Sequence, residues 1–73
     1  MEDNMNLTID CEQESDGRWL AEIPQLPGVM VYAESATRAI SKVQALALRV
    51  IAERLEHEEI QPLNIKISVP AMA

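Results

Sequence analysis

From Leu7 the chain alternates, with Leu7, Ile9 and Cys11 apolar and Thr8, Asp10 and Glu12 polar, the period of two expected of a half-buried strand. This predicts a first strand running to about Glu14. Asp16-Gly17 supplies a turn, and Trp19, Ala21 and Ile23 resume the alternation as a second strand. Turn length decides the register. A two-residue turn at Asp16-Gly17 sets Cys11 opposite Glu22 and Ile9 opposite Pro24, which mixes the faces. A three-residue loop, Ser15 to Gly17 with Gly17 left-handed, sets Cys11 opposite Ala21 and Ile9 opposite Ile23. The second is expected, because it keeps the apolar residues on one face.

Pro24-Gln25-Leu26-Pro27-Gly28 reads as a loop, since proline has no N–H for a ladder. A third strand follows over Val29 to Glu34, and closing across the loop sets Ile23 opposite Val29, Ala21 opposite Val31 and Trp19 opposite Ala33. Ser35 is a suitable N-cap, and Ala36 to about His57 contains neither Gly nor Pro, which predicts one long helix. Ala36, Ala39, Ile40, Val43, Ala47, Val50 and Ile51 form the stripe that covers the sheet. After Pro62, Ile65, Ile67 and Val69 alternate with polar residues as a fourth strand, which Pro70 ends. The expected fold is α+β in the order β-β-β-α-β. It consists of a three-stranded antiparallel meander, one helix on one face, and a last strand parallel to the first or third by a right-handed crossover.

At 73 residues there is room for one domain, residues 1–73. Burial and ordering nearly cancel at ~25 cal/mol per Å² against ~1.5 kcal/mol per residue, so self-association or a partner is expected. The helix has apolar side chains to spare for it: Ala45, Leu48, Ala52 and Leu55 lie away from the stripe that the sheet covers. They predict a homodimer or homotetramer.

The net charge of −6 argues against direct nucleic-acid binding, whose affinity comes from cations displacing counterions. The acidity is uneven. Residues 1–34 carry eight acidic side chains and one basic, and residues 35–73 carry four acidic and five basic. Such asymmetry speeds encounter with a basic partner. No apolar run approaches the roughly 20 residues that cross a bilayer, and the N-terminus lacks the basic-then-apolar start of a secretory signal. With a lone cysteine, a cytoplasmic protein is expected.

The predicted register sets Asp10 directly across from Glu22 on the outer sheet face, beside Glu12. Paired carboxylates can hold Mg²⁺, which admits a Mg²⁺-dependent nuclease, although a solvated acidic face needs no metal. The same register brings Leu20 opposite Tyr32 and Glu22 opposite Met30, an apolar patch beside an acidic rim, as at protein interfaces. His57 and Glu53 lie four residues apart on the helix, but two ligands do not make a metal site. Cys11 lies on the inner face without an accompanying base, as a small hydrophobe. Gly17 and Gly28 are both used by turns, so no phosphate-cradling loop is present and no cofactor is expected.

The order and spacing of Asp16, Gly17, Trp19, Ala21, Pro24, Leu26, Pro27 and Gly28, followed by a strand ending in Ser35 and an alanine-rich helix, resembles the HicB-like antitoxins. The likeness spans about Leu7 to Leu55. It implies a fold similar to part of ribonuclease H without that enzyme's activity, the last strand beside the first, and a partner. That partner would be a small basic HicA-like toxin, an mRNA-cleaving protein with a catalytic histidine and a double-stranded-RNA-binding-like fold. Two features depart from the family pattern. Thr37-Arg38 stand where an acidic pair usually follows the cap. The sequence also ends four residues after Val69, where many such antitoxins continue into a DNA-binding segment, so operator binding by this chain alone is not expected. The expected function is non-enzymatic neutralisation of such a toxin through Asp10, Glu12, Leu20, Glu22, Met30 and Tyr32. The alternatives are a stand-alone homo-oligomeric domain without a toxin, and the nuclease using Asp10 and Glu22.

Overall fold

The computed structural model describes residues 3–70. The fold is α+β: β1 (Asn4–Thr8), β2 (Asp10–Gln13), β3 (Trp19–Glu22), β4 (Met30–Ala33), α1 (Ala36–Glu56) and β5 (Asn64–Ser68). β1 and β2 together are the expected first strand. It starts three residues earlier than the alternation suggested and is interrupted at Ile9, where it changes partners. β1 pairs with β5 in parallel, Leu7 beside Ile67, while β2 pairs with β3 antiparallel and β3 with β4. The last strand thus lies beside the first.

Both hairpin registers are those expected from the faces. Cys11 stands opposite Ala21, and Ala21 opposite Val31. In the first loop, Gly17 has φ +92°, Glu14 N–H donates to Arg18 C=O at 2.7 Å and Gly17 N–H to Glu14 C=O at 3.0 Å. A side chain there would be strained, so glycine sets the loop length. The Pro-rich segment is two consecutive turns. Leu26 N–H donates to Ile23 C=O at 2.9 Å and Val29 N–H to Leu26 C=O at 3.0 Å. With Pro27 at the second position and Gly28 at φ +87°, the latter is a type II turn. Between the turns Leu26 is buried in the core.

Ser35 caps α1, its Oγ accepting from Arg38 N–H at 3.2 Å. The other end closes with Glu59 N–H on Arg54 C=O at 2.9 Å and Glu58 N–H on Leu55 C=O at 3.2 Å. This is the paired closure that needs a left-handed residue after the cap, and Glu58 fills that position at φ 56°. The α1 stripe packs on β2, β3 and β4. Ala39, Ile40, Val43, Ala47 and Ile51 join Leu7, Ile9, Ala21, Ile23, Leu26 and Val29 in one core, with Val50 half-buried at its margin. Because β5 flanks the early part of the first strand and β3 the later part, the molecule is drawn out to 43 Å in its longest dimension. That stagger leaves the β1–β5 end largely outside the cover of α1.

Candidate functional site

The two hairpins decide which outer-face residues are neighbours. Asp10 is paired with Glu22, Glu12 with Leu20, Leu20 with Tyr32 and Glu22 with Met30. The six residues expected to bind a partner therefore share a face, but they divide between two places. Asp10, Glu12, Leu20 and Glu22 line a shallow recess of about 410 Å³ along the open edge of β2, with Ile9, Cys11 and Pro70. Tyr32 instead lines a second recess, of about 400 Å³, with Arg18, Glu34, Arg38 and Lys42. Met30 is exposed outside both.

Leu20 is only 9% exposed. On the central strand it is flanked by Glu12 and Tyr32, whose longer side chains shield it. The expected patch of Leu20, Met30 and Tyr32 is therefore not three open apolar side chains. Leu20 is the floor of an acidic recess. Tyr32 is also partly covered, because the Arg18 guanidinium lies 4.3 Å from its ring centroid, within cation–π range. Arg18 Nε in turn donates to Asp16 Oδ2 at 2.7 Å. The backbone N–H of Arg18, at 3.0 Å from Asp16 Oδ1, and then its side chain hold the Asp16 carboxyl below its ordinary value.

Placing Asp10 across from Glu22 has an energetic consequence. Like charges directly opposite on neighbouring strands repel, and among the described residues no cationic side chain lines this recess. Cys11 is half-buried against the core, and burial pushes its thiol pKa up, which keeps it a neutral thiol. His57 is the exposed C-cap of α1, its N–H on Glu53 C=O at 3.0 Å. Among the described residues no three His, Cys, Asp or Glu side chains are grouped to hold a metal ion.

The four helix residues expected to lie beyond the sheet also divide. Leu55 is half-buried against the core and Ala45 is half-buried, while Ala52 is exposed and Leu48 is 49% exposed. The sequence reading did not place Pro70 in the acidic recess. It arrives there because β5 runs beside β1, a choice that alternation alone left open. Nor did the reading gather Arg18, Arg38 and Lys42, which come from a loop and two turns of a helix.

No protein-family model, curated protein or solved structure matches this chain. No helix among the described residues is long and apolar enough to cross a membrane.

Proposed function

We propose that this chain is an antitoxin-like binding module that occludes a small basic ribonuclease of the HicA-like kind by direct contact. The observation that carries the reading is the recess of Asp10, Glu12 and Glu22 over the Leu20 floor. Three carboxylates around one apolar floor make a receptor for a cationic side chain with an aliphatic stem, an Arg or Lys at the lip of an RNA-binding site. Arg is the better fit, because its planar fork pairs with carboxylates bidentately. Repulsion between Asp10 and Glu22 is relieved when such a cation sits between them, so binding is favoured by a strain the free domain carries. Net charge −6 adds long-range attraction. The chain contributes no catalysis of its own in this reading, and a cytoplasmic location follows from the partner's mRNA substrate.

The test is co-expression with the product of the neighbouring reading frame. A short, basic, histidine-containing protein that arrests growth is expected, with growth restored by this chain and not by its Asp10→Lys/Glu22→Lys variant. Rescue that survives the double charge reversal removes the acidic recess from the reading. Growth arrest that this chain never relieves removes the function.

A further inference from the structure

β5 is an edge strand with an unusually open inner face. Its pairing with β1 alternates: Ile9 N–H donates to Ser68 C=O at 3.1 Å and Asn64 N–H to Asp3 C=O at 2.9 Å. Residues 64, 66 and 68 therefore turn their backbone groups to β1. By the same alternation Ile65, Ile67 and Val69 turn theirs to the outer edge, where β5 has no neighbour among the described residues. An open row of this kind is a template for another strand. The side chains of Ile65 and Ile67 share the face of Met5 and Leu7, their neighbours in the β1–β5 register, and Val69 continues the alternation, yet Ile65 is 39% and Val69 52% exposed.

Of the five large apolar side chains left exposed among the described residues, Ile65 and Val69 both belong to this one strand edge.

We propose that a second copy of this chain occupies that edge, with the two β5 strands antiparallel about a two-fold axis through Ile67. The sheets then join into one. The register is decided by charge and by the number of apolar pairs it makes. Centring on Ile67 pairs Ile65 with Val69 of the second copy and Ile67 with its own counterpart, using every outward N–H and C=O from residue 65 to residue 69. On the other face it sets Lys66 opposite Ser68. Centring on Lys66 sets two ammonium groups face to face, and a shift the other way, centred on Ser68, pairs Ile67 with Val69 and leaves Ile65 without a partner within residues 64–70. The centred register also lines up Ile65, Ile67 and Val69 of both copies as cross-strand apolar pairs. A second copy is favoured over a foreign strand by two facts. The edge is self-complementary under a two-fold rotation, and residues 60–70 carry Lys66 as their one charge, so two chains of net −6 meet through a segment that holds no carboxylate side chain. None of Asp10, Glu12, Leu20 and Glu22 lies on this edge, so this dimer stands or falls independently of the toxin reading.

The experiment is sedimentation with disulfide trapping on the full chain, in a Cys11→Ser background. A dimer is expected at tens of micromolar. Ile67→Pro deletes the two central hydrogen bonds without removing a donor from the β1 ladder. At about fivefold each, it should weaken the dimer by about 25-fold. Trapping needs no proline. Under mild oxidation a mixture of Lys66→Cys and Ser68→Cys chains should cross-link, since non-hydrogen-bonded partners approach to about 4.5 Å between Cα atoms, while either variant alone should not. A monomeric wild type at 100 micromolar, cross-linking of Lys66→Cys with itself, or a dimer that forms no mixed cross-link each overturns the proposal.

Discussion

The side chain of Gln25 takes the place of a missing strand beside Thr8. Thr8 N–H donates to Gln25 Oε1 at 3.1 Å, and Gln25 Nε2 donates to Thr8 Oγ1 at 2.9 Å. β3 ends at Glu22, so beyond Asp10 the first strand has lost its antiparallel partner just where β5 takes up its other side. The amide of Gln25, carried there by the turn at Pro24, supplies the next rung. It ties the Pro-rich loop to the point where the first strand changes partners.

Gln25→Ala should therefore cost about 1 kcal/mol, more than a surface glutamine ordinarily contributes. Thr8→Ala should cost a similar amount. In chemical denaturation the double variant should lose less than the sum, because the two residues share one pair of bonds.

Glu58 holds the left-handed position that closes α1, and it does so at the negative end of the helix dipole beside Glu56 and Glu59. Both the backbone and the charge are unfavourable there. Glu58→Gly should raise stability by about 0.5–1 kcal/mol, read as a higher denaturation midpoint with unchanged slope.

The Asp16 carboxyl titrates below its ordinary value because it accepts from Arg18. A depressed folded-state pKa gives stability that is complete above the unfolded-state pKa, near 3.9, and is lost as pH falls through the folded-state value. Asp16→Asn should melt below wild type at pH 7. Its deficit should shrink as pH drops below about 4, a trend that salt weakens because the pair is solvent-exposed.

Removing the repulsion between Asp10 and Glu22 should stabilise the domain. Glu22→Gln is expected to raise stability by a few tenths of a kcal/mol while weakening capture of the proposed basic partner. Thermal melts and partner titration of the same variant check both halves, and a variant that improves in both contradicts the role given to this pair.

Leu48→Glu places a charge on the exposed helix flank expected to self-associate. At 49% exposure the change should leave the isolated domain within about 0.5 kcal/mol of wild type. Sedimentation should show weakened assembly, because a charge at a drying contact must be desolvated.

The strands, both hairpin registers, the N-cap and the helix follow from the sequence, because each rests on local chemistry. Period-two alternation assigns faces, Gly17 and the Pro27-Gly28 pair select turns, and Ser35 caps α1. Once each strand had one apolar face, only one pairing kept the apolar residues together, and Asp10 opposite Glu22 followed. Tertiary structure decided what depends on position across the whole chain. The last strand satisfies its alternation beside either of two neighbours, and only its place next to β1 brings Pro70 to the acidic recess and leaves Ile65 and Val69 uncovered. Leu20 and Tyr32 read alike as outer-face apolar residues. Leu20 is buried because β3 has a neighbour on both sides, whereas Tyr32, on the outer strand, meets Arg18. Leu48 and Leu55 read alike on the helix flank, yet Leu55, in the last turn of α1, packs against the core and Leu48 does not. Periodicity specifies which way a side chain points, and burial depends on what the rest of the chain brings to meet it.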